Sequence, residues 1–332
     1  MPISTVQRFP HNRVLLPRTR LAYVHLRNLL SNAMRDRGAR VAGYVAIWLP
    51  DELIILYMQS GELVNATICD AKGWRAVSIG RALERVPLEP EYGEICFCAA
   101  ADEQLDCMFA TQLVEPVALP EKLAVTDPAV LFPYLSATTF DGLIEVTVGD
   151  AVSYLVVVNG TVERSYLAGD SHGHGHSHSS HSSDDHIGRL FSHARPGELK
   201  VRRWSEIAEI GVQAPPGLVQ AYKELAVGLV DTLVRGGRTS APVIAEHARK
   251  SLVDAHPVLD GITLTETPAR GDVVVNTETL TIGIATWVRE VMWTAVDHDA
   301  MTPEQILRDL TWERRHMFQS AGFYEHIPWT VL

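Results

Sequence analysis

The chain repeats itself. Gly43 through Ile68 (GYVAIWLPDELIILYMQSGELVNATI) aligns without a gap on Gly142 through Leu167 (GLIEVTVGDAVSYLVVVNGTVERSYL), at a constant offset of 99. Gly43 meets Gly142, Asp51 meets Asp150, Leu56 meets Leu155 and Gly61 meets Gly160. Farther on, Ile79-Gly80-Arg81 matches Ile187-Gly188-Arg189, and Gly93-Glu94-Ile95 matches Gly197-Glu198-Leu199; upstream, Leu30-Ser31 matches Leu135-Ser136. Each match is short, and their shared order is what argues for a duplication. A duplication restricts the fold: whatever small unit one copy forms, the other must form as well.

Each copy has the same grammar. A short helix precedes an extended run (Tyr44 to Leu49; Leu143 to Val148), and a hairpin follows. In copy two the hairpin turn is Asn159-Gly160, a dipeptide that tolerates positive φ and suits a two-residue type I′ turn; in copy one Ser60-Gly61 takes its place. Ile79, Ala82, Leu83 and Val86 then recur at helical spacing before a closing strand near Ile95-Cys96-Phe97. The fold class expected is therefore α+β. Two related antiparallel-sheet units with backing helices come first, and a helix-rich C-terminal domain follows.

The strand, the hairpin ending in Gly61-Glu62-Leu63-Val64-Asn65-Ala66, the helix and the closing Gly-Glu-aliphatic strand together resemble the PATAN domain. That domain is common in bacterial signalling proteins. The resemblance covers about residues 21–210 as two copies. Copy two departs from it, with Gly160-Thr161-Val162-Glu163-Arg164-Ser165 where the phrase is expected. The resemblance implies an interaction module of a signalling or motility system, with no catalytic residues to carry over.

The expected organisation is a basic tail over 1–17, a first repeat over 18–116 and a Pro-rich linker over 117–128. A second repeat over 129–212 carries a His-rich insertion at 171–186, and the helical domain covers 217–332. Composition fits several such units, since the 332 residues are 46% hydrophobic and 21% charged. The net charge of −11 is uneven: the first 40 residues carry eight arginines against Asp36, or +7, which leaves −18 for the rest. An acidic body argues against a general nucleic-acid binder, which needs a broad basic face. The helix expected from Leu21 to Ser31 belongs to the first repeat, so the Arg-rich start reads as folded rather than as a cleaved leader. No apolar run is long enough to suggest a membrane span, and the expectation is a cytoplasmic protein. Cys69, Cys96, Cys98 and Cys107 sit on stretches that read as apolar strands, as reduced core cysteines.

Past Ala214-Pro215-Pro216-Gly217 the period changes. Leu218, Val219, Tyr222, Leu225, Ala226, Leu229, Val230 and Leu233 describe one face of a helix that ends at Gly236-Gly237. Ser240 is expected to cap a second helix, Ile262–Leu264 and Val273–Val275 to form a small extended pair, and Leu280 to Val296 to be strongly apolar. Thr302-Pro303-Glu304-Gln305 is a capping-box opening for a further helix. Trp287, Trp293, Trp312 and Trp329 fall in this part, as core anchors or as partner contacts.

The conspicuous chemical feature is SHGHGHSHSSHSSDDH at 171–186, with His172, His174, His176, His178, His181 and His186. Imidazole is a good ligand for zinc, nickel and copper. The repeat offset grows from 99 to 108 across this stretch, so it enlarges the connection that copy one makes with Asp70 to Val77. Two readings stay open: a linker with no metal role, and a loop that binds zinc or nickel weakly. Glu246, His247, His256 and His298 do not have the spacing of a zinc protease helix, and Cys96-Phe97-Cys98 lacks two further ligands. The functional expectation is a non-enzymatic regulatory or scaffold protein that acts through a protein partner. Self-association is an open variant, divalent-metal sensing or buffering is the alternative, and an enzyme working through the polar groups around His247, His256 or His298 comes after both. Neither a resident cofactor nor a nucleic-acid partner is expected.

Overall fold

The computed structural model describes residues 7–35, 41–87, 91–168, 187–188, 190–192, 198–205, 207, 210–262, 273–295 and 302–331. The chain divides into two compact units, Met1–Ala76 with Glu84–Ile210, and Val77–Leu83 with Gly211–Leu332. The fold is α+β with a helical C-terminal part. Among the described residues no helix is long and apolar enough to cross a membrane.

The first unit holds two antiparallel sheets. Strands β1 (Arg13–Arg20), β2 (Gly43–Trp48), β3 (Leu53–Gln59), β4 (Glu62–Asp70), β5 (Gly73–Val77) and β6 (Glu94–Ala99) make the first, in the order β1-β6-β2-β3-β4-β5. Strands β7 (Gly142–Val148), β8 (Ala151–Val158), β9 (Thr161–Tyr166) and β10 (Leu199–Trp204) make the second, in the order β10-β7-β8-β9. Helix α1 (Leu26–Arg35) precedes β2 and α4 (Pro128–Ala137) precedes β7, while α2 (Ile79–Arg85) and α3 (Asp102–Leu113) flank β6.

The repeat extends to individual hydrogen-bonded pairs. Gly43 pairs with Met58 in copy one and Gly142 with Val157 in copy two, both members displaced by 99. The next ladder carries a register shift between Tyr57 and Met58, and the equivalent ladder carries one between Val156 and Val157. A bulge kept at one position in both copies is a structural feature of the unit rather than a local irregularity. Both hairpins turn through two residues of positive φ, Ser60 (51°) with Gly61 (82°) and Asn159 (50°) with Gly160 (74°), as a type I′ turn requires. The Gly61 and Gly160 amides donate to Val41 O at 3.0 Å and Phe140 O at 2.8 Å, again equivalent residues.

Period-two alternation divides each sheet between two cores. Tyr44, Ala46, Leu53, Ile55, Tyr57, Cys96 and Cys98 face a core shared with Leu143, Val152, Tyr154, Val156 and Trp204 of the second sheet and with Leu105, Cys107 and Met108 of α3. The two repeats therefore join through their sheets, with α3 contributing to the joint. The opposite face of the second sheet, Ile144, Val146, Leu155 and Val157, packs with Leu131 and Leu135 of α4 and with Ile187 and Phe191. Residues 187–188 and 190–192 are helical, as the match to Ile79-Gly80-Arg81 requires.

Several details differ from the sequence reading. Residues 13–17, read as tail, open β1, whose partner β6 lies far along the chain. The helix expected from Leu21 is a single 3-10 turn, Leu21–Tyr23, followed by α1 from Leu26. Cys107 lies on α3, not on a strand, and part of the connection from Asp70 to Val77 is β5. The closing strands align Cys98 on Trp204, an offset of 106, because Tyr44 pairs with Cys98 and Leu143 with Trp204. Matching Gly93-Glu94 to Gly197-Glu198 gave 104; a slip of two residues preserves the inward face, so the pattern of apolar residues does not resolve it.

In the second unit, α5 (Pro216–Arg235), α6 (Ala241–Leu252), α7 (Thr277–Ala295), α8 (Pro303–Thr311) and α9 (Arg315–Ser320) surround one core. Its centre is aromatic: Tyr222, Phe318 and Phe323 have ring centroids 5.3 to 5.8 Å apart, and the Tyr222 hydroxyl donates to Thr281 Oγ1 at 2.8 Å. Segment 77–83 is fastened within this unit by buried Gln213, which donates through Nε2 to Val77 O at 2.8 Å and accepts from Ile79 N at 3.1 Å. Thr302 caps α8 by accepting from Gln305 N, whereas Ser240 precedes α6 without a side-chain capping bond. Val273–Val275 is not a strand, and Leu264 lies outside the described residues.

Candidate functional site

His172, His174, His176, His178, His181 and His186 lie outside the described residues, as does His298. Among the described residues no three His, Cys, Asp or Glu side chains come together as a metal-holding group. His247 is exposed on α6 and His256 is half-buried beyond it. Glu246 is held by Arg249, whose Nε and Nη2 lie 3.0 and 2.9 Å from its carboxylate oxygens. That pairing keeps the Glu246 carboxyl below its ordinary range. Cys96 and Cys98 share the inward face of β6 with sulfurs 4.0 Å apart, and all four cysteines are free thiols. A hydrogen bond to Cys98, together with burial, pushes the Cys96 thiol up.

The structure brings other residues together along the joint between the sheets. Tyr57 and Thr67 of copy one both donate to Gln112 Oε1 of α3 at 2.6 Å. Next to Gln112, Thr111 lies 3.4 Å from the Tyr154 hydroxyl of copy two. Glu145 occupies the position of Ala46 in copy one and is buried, with Arg202 beside it on β10 and Thr147 Oγ1 at 3.3 Å. Burial raises the Glu145 carboxyl despite the opposing pull of Arg202.

Segment 7–12 spans this joint. In copy one, β4 runs far enough to pair Cys69 with Leu53. In copy two, β9 stops at Tyr166 opposite Tyr154, and the Ala168 amide turns instead to Ser153 Oγ at 3.1 Å. Arg8 occupies the vacated edge beside Ala151 in parallel orientation. Its amide donates to Asp150 O at 2.9 Å, and its carbonyl accepts from Val152 N at 2.9 Å. Its guanidinium grips the Asp150 carboxylate through Nε and Nη2 at 3.0 and 2.8 Å. Phe9 is buried edge-on against Tyr44 and Trp74 of copy one. The Tyr44 hydroxyl lies 3.2 Å from Phe9 O and 3.3 Å from Pro10 O, and Gln104 Nε2 also donates to Pro10 O. The sequence reading missed this segment. Its signal was a lone buried-type residue, Phe9, inside a polar and basic stretch.

The helical unit carries a second kind of candidate surface. Trp287 is fully buried with its indole N–H donating to Ala245 O at 2.9 Å, so it serves the core. Trp293 is 60% exposed and Trp312 66% exposed. Trp329 packs edge-on to Trp293 with centroids 6.3 Å apart, and the Arg289 guanidinium lies 5.4 Å from the Trp293 ring.

No family model, curated protein or solved structure matches this chain.

Proposed function

We propose that this chain is a cytoplasmic regulatory or scaffold protein of a bacterial signalling system, built on tandem PATAN-like units and acting through protein–protein contact rather than catalysis. The observation that carries the reading is the exposure of Trp293 and Trp312 in a unit that buries Trp287 completely. Tryptophan presents a large apolar surface with a single donor, and such residues dominate binding energy at protein interfaces.

The test is cross-linking and affinity capture from the native lysate, with the wild-type chain beside Trp293→Ala and Trp312→Ala. The expected result is a specific partner recovered by the wild type and reduced by at least one variant, with unfolding midpoints unchanged. A chain that stays monomeric and captures nothing would overturn the reading.

Divalent-metal sensing or buffering by His172, His174, His176, His178, His181 and His186 is the second reading, favoured by six imidazoles within sixteen residues. Elemental analysis for zinc and nickel, with and without residues 171–186, decides it. Equal, near-zero metal in both chains removes it.

A further inference from the structure

We infer that the notch between the two sheets is a peptide-binding site, which the chain's own Arg8-Phe9-Pro10 fills in cis and a partner segment of the same chemistry (arginine, an aromatic residue, then proline) takes in trans. This rests on the reading of the chain as an interaction module and names one of its contact sites.

The notch exists because the copies differ in one respect. Copy one completes its edge with β4 as far as Cys69 opposite Leu53, while copy two ends β9 opposite Tyr154, so Val152 pairs with Thr147 of β7 on one side and has no β9 partner on the other. An open stretch of backbone donors and acceptors is what an added strand satisfies in β-augmentation. Arg8 does this with both of its backbone groups, against Asp150 O and Val152 N.

Side chains then set the ligand chemistry position by position. Asp150 receives a guanidinium in two-point geometry, which selects arginine over lysine. Tyr44 and Trp74 present ring faces and edges to one aromatic side chain, Phe9. Tyr44 and Gln104, both buried, donate to the carbonyls of the second and third residues. No hydrogen bond of the site uses the nitrogen of the third residue, so proline costs nothing there.

The cis occupant is also suited to exchange. It lies outside both repeats, it joins the sheet through a single isolated bridge, and its ion pair is solvent-exposed on the arginine side. Exposed pairs of this kind stabilise weakly and are screened by salt.

The experiment measures anisotropy of a fluorescein-labelled peptide, Val-Gln-Arg-Phe-Pro-His, against the full wild-type chain, its Phe9→Ala variant and a chain lacking residues 1–10. The filled notch lowers apparent affinity by the fraction that is open, so both altered chains should bind about tenfold or more tightly than wild type. A peptide with glutamate for arginine should not bind them, and adding Asp150→Lys to Phe9→Ala should reverse that preference. Hydrogen exchange in the wild type supplies a readout that needs no variant. The Val152 amide, held by Arg8, should exchange about tenfold or more faster than the Leu155 amide inside β8. Folded variants that fail to bind, a preference that Asp150→Lys does not reverse, or Val152 exchanging only with the whole strand would each make the segment ordinary core and overturn the inference. Failure here alongside tryptophan-dependent partner capture removes this site and leaves the broader reading standing; loss of capture with peptide binding intact does the opposite.

Discussion

Glu145 stands on β7 where Ala46 stands on β2, so one copy places a carboxylate at a point where the other needs only a methyl group. Arg202 answers it from the next strand, yet Arg202 is half exposed while Glu145 is buried, and the burial cost outweighs the pairing. The sign follows from linkage. A carboxyl raised in the folded state adds stability below the ordinary glutamate range and loses that contribution as pH rises through the raised value. Glu145→Gln removes the charge and frees Arg202 to water. Its urea midpoint should exceed that of the wild type at about pH 8, and the difference should vanish by about pH 4, where both residues are neutral. A wild-type advantage at the higher pH would mean that the ion pair outweighs its burial. Gly142 supplies a second residue-scale test. A Cβ there would lie 2.1 Å from Trp204 O, at a φ of 142°, just as one on Gly43 would lie 2.1 Å from Cys98 O. Gly142→Ala should cost about 3 kcal/mol or more, by strain and overpacking together. Gly149, at a φ of 60° with open space around it, is the control: Gly149→Ala should cost only about 1 kcal/mol in the same denaturation series.

At the scale of the element, the two hairpins are one design with different turn residues, and this makes copy two a guide to copy one. Ser60 and Asn159 hold nearly the same positive φ, but asparagine tolerates that region better than serine. Ser60→Asn should therefore raise the thermal midpoint, with a gain of about 0.5 kcal/mol or more. A lower midpoint would show that Ser60 has a role the turn geometry does not reveal. The hairpins were legible in the sequence because their signals are local: an Asn-Gly or Ser-Gly pair between aliphatic strands fixes turn, register and face together. Strand β1 was not, since Pro17 and the arginines at positions 13, 18 and 20 disguise an edge strand, and its partner β6 lies some eighty residues away. Proline and charge are the residues that edge strands use against unwanted pairing. Helix α3 was hidden for a different reason. Placed at the joint, it buries Gln104, Thr111 and Gln112 along with Leu105, Cys107 and Met108, so it lacks the clean amphipathic stripe of a surface helix. The notch was illegible on both counts, because it depends on where β9 stops and on a segment more than 140 residues earlier.

For the whole molecule, the duplication explains why a chain can carry sixteen residues of histidine, serine, glycine and aspartate in one connection. Copy one turns at Ala71-Lys72 from β4 into β5 and then into α2. Copy two has twenty residues between Tyr166 and the helical residues at 187, and added length in a connection has a small thermodynamic effect, since each doubling of the number of residues costs only about 0.6 kcal/mol. Removing 171–186 should accordingly leave the unfolding midpoint within a degree or two of wild type, or raise it slightly, while the ladders of β7, β8 and β9 stay intact. If the histidines bind metal, the same deletion should also abolish a zinc-dependent rise in the wild-type midpoint, because a ligand that binds only the folded chain stabilises it by mass action. Thermal scans of both chains with zinc and then with chelator separate the cases. A zinc shift present in the wild type and absent after deletion assigns the metal to the loop, a shift in both places it elsewhere, and no shift in either leaves the stretch as connection alone.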